Sequence, residues 1–140
     1  MKISIIYYSK TGHSAKLAEA IAKELGSSAL NVMDTPKVDG TDLLIVVSGI
    51  YGGKSAPELI NYLNGLNPAT IKQAVMVTSS LGASETQGQV RESLEKKGIR
   101  LSPESYHCKG NFLFFGLGHP NRAEIAGAGD FVKRLLENLA

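Results

Sequence analysis

Ser9-Lys10-Thr11-Gly12-His13-Ser14 puts three hydroxyls, a glycine and a run of backbone N–H groups just ahead of an apolar helical pattern. Donors at that density, at the positive end of a helix, are what a phosphate monoester needs. The same residues would also serve as a plain helix N-cap with a turn glycine. A second loop, Ser48-Gly49-Ile50-Tyr51-Gly52-Gly53-Lys54-Ser55, ends in Gly-Lys-Ser and nearly spells the P-loop G-x-x-x-x-G-K-S. Its first glycine should fall at residue 48, which is serine, and no apolar strand ending in a metal-binding aspartate follows. Nucleoside triphosphate chemistry is therefore set aside. The first loop also lacks the G-x-G-x-x-G dinucleotide fingerprint. His13 could lend a donor to the first loop, His107 and Cys108 read as alternate faces of a strand, and His119 before Pro120 reads as a turn residue. No Ser-His-Asp or Cys-His ordering stands out, and the lone cysteine has no cysteine neighbours for a metal site. No catalytic side chain and no metal ligand is assigned; the chemistry must come from a cofactor.

Those loops matter only if the fold gathers them. Ile3 to Tyr8 reads as a buried strand, almost wholly apolar and rich in β-branched and aromatic residues. Ala15, Leu17, Ala18, Ile21, Ala22 and Leu25 then recur at helical spacing, closed by Gly26. Further strands are predicted over 28–33, 43–47, 74–78 and 104–110, and further helices from Pro57 to Gly65, over 87–97 and from Glu124 to Leu139. The expectation is five β-α units in strict alternation within a single domain spanning 1–140. Such alternation implies a parallel sheet with right-handed crossovers and helices on both faces. The doubly wound order 2-1-3-4-5 suits this length, and it places ligands at the switch point between strands one and three, on the loops after residues 8 and 48.

At that point the motif becomes specific. Ser9-x-Thr11-Gly12-x-Ser14 after an N-terminal apolar strand resembles the FMN-phosphate loop of the flavodoxin family, T/S-x-T-G-x-T, with Ser14 keeping the final hydroxyl. The likeness runs through the element order of the whole chain and is similar to the short-chain members. It implies a flavodoxin-like three-layer sandwich around a five-stranded parallel sheet and one non-covalent FMN. The phosphate would be held by the hydroxyls of Ser9, Thr11 and Ser14 and the N–H groups of Lys10, Thr11, Gly12, His13 and Ser14. Gly49, Ile50, Tyr51, Gly52 and Gly53 would form the loop facing flavin N5, with Tyr51 as the stacking aromatic. Gly52 would permit a peptide flip toward N5–H, since glycine tolerates positive φ. Ser79, Ser80, Leu81 and Gly82 would line the other side of the ring. That third loop departs from the family pattern in having no aromatic.

Composition narrows the partners. The 140 residues are 43% hydrophobic and 20% charged, which is globular composition. A formal charge of +2 with scattered Lys and Arg is no nucleic-acid footprint. No stretch approaches the ~20 apolar residues of a membrane span. A short first apolar run without a cleavage-like site and a single cysteine predict a cytoplasmic protein, and a monomer is expected. The resemblance implies an electron shuttle between a reductase and redox partner proteins. The alternative is an FMN-dependent reductase acting directly on a quinone or tetrapyrrole-like acceptor, or its accessory protein. The missing aromatic and the apolar run Phe112-Leu113-Phe114-Phe115 favour that alternative. The tail resembles flavodoxin-domain proteins without the usual acidic surface, some associated with bilirubin reduction. With Lys54 beside the second loop and acids sparse between 48 and 57, the flavin's second reduction is predicted to be easier than in acidic members.

Overall fold

The computed structural model describes residues 2–8, 13–51, 54–80, 88–102, 106–109 and 122–139. Strand β1 (Ile3–Tyr8) lies parallel between β2 (Ala29–Asn31) and β3 (Thr41–Tyr51). A two-residue strand, β4 (Lys54–Ser55), pairs antiparallel with the end of β3. Beyond β3 lies β5 (Ile71–Ser80), and two short pieces, β6 (Arg100–Leu101) and β7 (Tyr106–Lys109), both pair parallel with β5. Counting β6 and β7 as one position, five parallel positions follow the order 2-1-3-4-5.

The strands are apolar on both faces because helices cover both. Ile5, Leu43, Ile45, Val47, Val75 and Val77 pack with helices α1 (His13–Leu25) and α4 (Arg122–Leu139). The alternate residues Ile6, Leu44, Val46, Ala74 and Met76 pack with α2 (Pro57–Asn64) and α3 (Gly88–Lys96). The period of two thus divides each run between two cores. Gly26 (φ 65°) and Gly98 (φ 79°) close α1 and α3 in the left-handed region, and Ser27 and Ile99 N–H reach back to the Ala22 and Leu94 carbonyls. At the start of the sheet, Thr41 Oγ1 donates to the Val38 carbonyl, leaving Ser4 Oγ to donate to Thr41 Oγ1 at 2.8 Å.

Two expectations are corrected. Alternation is not strict, because β2 passes to β3 through a 3-10 turn over Val32–Asp34 and an irregular segment, not a helix. Asp34, Pro36, Asp39 and Gly40 disfavour a helix there, while Val32 and Val38 do the packing. The last sheet position is reached earlier than 104–110: β6 (Arg100–Leu101) already pairs with β5, and β7 (Tyr106–Lys109) lies inside the expected range.

Candidate functional site

The carboxyl ends of the parallel strands form one rim, and the register aligns it. Tyr8 pairs Ser48, Ser48 pairs Thr78, and Thr78 pairs His107. β1 stops there, whereas β3 runs on through Gly49, Ile50 and Tyr51. Gly49 is level with Ser79 and Cys108, and Ile50 with Ser80 and Lys109. Ile50 also pairs Ser55, and Tyr51 pairs Lys54. A strand residue offers one edge to each neighbour, so β4 occupies the edge of β3 opposite β5. That is the side β1 serves lower down. The second loop therefore turns back over the end of β1, at the point where the strand order reverses.

Helix α1 starts at His13, so only residues 9–12 separate the end of β1 from the head of the helix. Its first N–H groups, which have no partner within the helix, and its positive dipole end therefore point at the rim beside that reversal. Ser14, the second residue of α1, is 1% exposed, and its Oγ finds no hydrogen-bond partner among the described residues. A buried hydroxyl is normally satisfied, and an orphan one has a cost. An anionic oxygen at the head of the helix would accept from it. The donor set and the orphan atom both fit a phosphate.

The other expected site residues divide by position. His13 heads α1; Gly49, Ile50 and Tyr51 end β3; Ser79 and Ser80 end β5. The fold thus brings the ends of these three segments to one rim. Ser9, Lys10, Thr11, Gly12, Gly52, Gly53, Leu81 and Gly82 lie outside the described residues, as does the Phe112–Phe115 run. Lys54, expected beside the second loop, lies in β4. Sequence reasoning missed two rim residues: Lys109 ends β7, and Glu58 is the second residue of α2. Glu58 Oε2 is also buried without a partner among the described residues. Pro57 and Glu58, a first-turn proline and acid, were the available signal for its place.

The shifted titrations lie away from this rim. Asp42, at the opposite end of the sheet, is held below its usual carboxylate value by the Lys2 N–H at 2.7 Å and then by Lys72 at 3.1 Å. Burial and then Asp39 push the Tyr62 hydroxyl up, and that hydroxyl donates to the Pro36 carbonyl at 2.5 Å. Among the described residues no cluster of His, Cys, Asp and Glu could hold a metal ion. Among them, too, no helix is long and apolar enough to cross a membrane.

The sequence matches the family described as the flavodoxin domain over residues 4–120. The fold is similar to that of a flavodoxin from the domain Archaea, with a TM-score of 0.76 at 14% identity over 99% of this chain and 98% of that one. Flavodoxin 2 from Bacillus cereus superposes with a TM-score of 0.71 at 18% identity over 99% of both chains. A short-chain flavodoxin associated with a PDU bacterial microcompartment gives 0.68 at 17% identity over 100% of both. At such identities the likeness is one of fold. No curated protein matches in sequence.

Proposed function

The chain belongs to the flavodoxin family, whose members bind FMN, and from that premise we propose that it binds one FMN non-covalently and relays electrons between a reductase and a redox partner protein. The observation that carries the reading is the buried Ser14 hydroxyl at the head of α1, without a partner among the described residues. Ser9, Thr11 and Ser14 would donate to the phosphate, joined by the N–H groups of Lys10 to Ser14. Residues 49–53 and 79–82 would bracket the ring, a reading supported by the pairing of Gly49 with Ser79 and Ile50 with Ser80.

Bound there, FMN supplies reversible electron transfer, and the protein supplies binding, orientation and field. Neutral donors and the helix end meet the phosphate charge. Purification without added cofactor should give a yellow protein absorbing near ~450 nm, the band of oxidised flavin. A sample that stays colourless after incubation with FMN and desalting overturns the proposal.

One observation favours a second reading. The third loop, Ser79 to Ser84, has no aromatic to cover the ring, which would leave a face open to a planar acceptor such as a quinone or tetrapyrrole. Turnover of such an acceptor with NAD(P)H and no partner protein supports direct reduction; negligible turnover supports the relay. The relay reading includes a monomer in the cytoplasm, which gel filtration and cell fractionation test.

A further inference from the structure

Three of the four α-helices among the described residues carry a cation where the helix dipole disfavours one. Lys16 is in the first turn of α1 and Arg91 in that of α3, and neither turn holds an acid. Arg122 opens α4. The other ends of α1 and α3 follow the usual rule, with Lys23 and Lys96 in their last turns. All four helix N-termini belong to the rim described above, and the strands add Lys54 and Lys109 to it. Against these stand Glu58 and Glu124. The connecting segments contribute Lys10 and Glu85, which cancel.

The chain as a whole carries a formal charge of only +2, and outside this rim acids slightly outnumber bases. The positive surplus is therefore a property of one end of the molecule. A phosphate dianion bound at α1 would offset part of it. The helix N-termini, worth roughly half a charge each, add to it again.

We propose that this rim docks an electron-transfer protein through an acidic face of that partner, one rich in Asp and Glu. The inference rests on the FMN reading, because it needs the redox group at the same rim. The charges are spread too widely to serve one small anion. Ser55 and Lys109 stand at opposite ends of a row crossing β4, β3, β5 and β7, about 14 Å at roughly 4.8 Å per strand, and Lys54 adjoins Ser55. Lys16, Arg91 and Arg122 flank that row on both helical layers. Such a field raises encounter rates with an oppositely charged surface and repels a like-charged one.

The test uses FMN-loaded protein reduced with dithionite, then mixed by stopped flow with ferric cytochrome c. One portion of the cytochrome is native, with a lysine-ringed haem edge. The other is succinylated, so that the same haem sits in an acidic surface. Each transfer moves one electron from reduced flavin to ferric haem. At low ionic strength the succinylated form should react at least about tenfold faster, and its rate should fall as salt is raised. The Lys16→Gln/Arg91→Gln double variant, loaded to the same flavin absorbance, should lose about half of that salt dependence.

Faster reaction with native cytochrome, salt-independent rates for both forms, or an unchanged slope in the double variant each overturns the proposal while leaving the flavin reading intact. A protein that never turns yellow overturns both.

Discussion

A serine hydroxyl sealed from water without an acceptor costs the folded chain about 1–3 kcal/mol, and Ser14 is such a group among the described residues. The cost should appear only when the acceptor is missing. Ser14→Ala should therefore leave the cofactor-free protein as stable as the parent or up to about 1 kcal/mol more stable. The same change should weaken FMN binding roughly ten- to a hundredfold, the worth of one hydrogen bond to a charged oxygen. Urea denaturation of the cofactor-free protein and flavin-fluorescence titration give the two numbers. A stability loss equal to the affinity loss would make Ser14 a structural residue instead. Gly127 poses a different single-atom problem, since a Cβ there would meet Tyr106 Oη at 2.6 Å. Tyr106 also packs against Phe131, with ring centroids 5.8 Å apart, so the ring has little room to retreat. Gly127→Ala should destabilise by about 1–2 kcal/mol despite the helix-propensity gain. In a Tyr106→Phe background, where the nearest remaining atom is at 3.4 Å, the same substitution should cost less. Additive effects in that double-mutant cycle would rule out the clash.

Elements are set by periodicity where it is strong and by exceptions where it is not. The alternating Leu43–Val47 and Ala74–Val77 runs and the Ala15–Leu25 helical spacing were legible because burial on both faces demands them. The Ser9–Ser14 motif was legible because phosphate chemistry restricts residue type. The short piece β6 was not, since Arg100 and Leu101 stand outside the run that reads as the last strand. Nor was β4, whose two residues carry no period and pair only because β3 outlasts β1. At the other end of the sheet, Asp42 ties β1 to β3 through Lys2 and bridges to Lys72. Its folded pKa lies below the ordinary 3.8, so its contribution is present above that value and fades as pH falls through the lower folded one. Asp42→Asn should be less stable than the parent near neutrality, and the two should converge below pH 3.8. Thermal melts across the acid range check this, and a gap that stays constant with pH would exclude the carboxylate as its source.

At the scale of the whole molecule, charge placement bears on energetics as well as on docking. Adding the last electron to a bound flavin builds negative charge at the rim, and fixed cations there favour that step. Lys109 ends the row of strand residues that would lie beneath the ring and Lys54 adjoins its other end, while Lys16, Arg91 and Arg122 stand at the helix starts around it. Glu58 and Glu124 oppose them in the first turns of α2 and α4. The potential of the second one-electron reduction should therefore be less negative than in family members whose rims are acidic. Reversing charge at two positions, as in Lys54→Glu/Lys109→Glu, should lower that potential by tens of millivolts, the scale of unit charges acting across a protein surface. Added salt should shrink the difference, because screening weakens exposed charges first. Potentiometric titration of parent and variant at two ionic strengths reads all three effects. A parent potential as low as that of the acidic members, unmoved by the double reversal, would mean that the rim charges do not reach the ring.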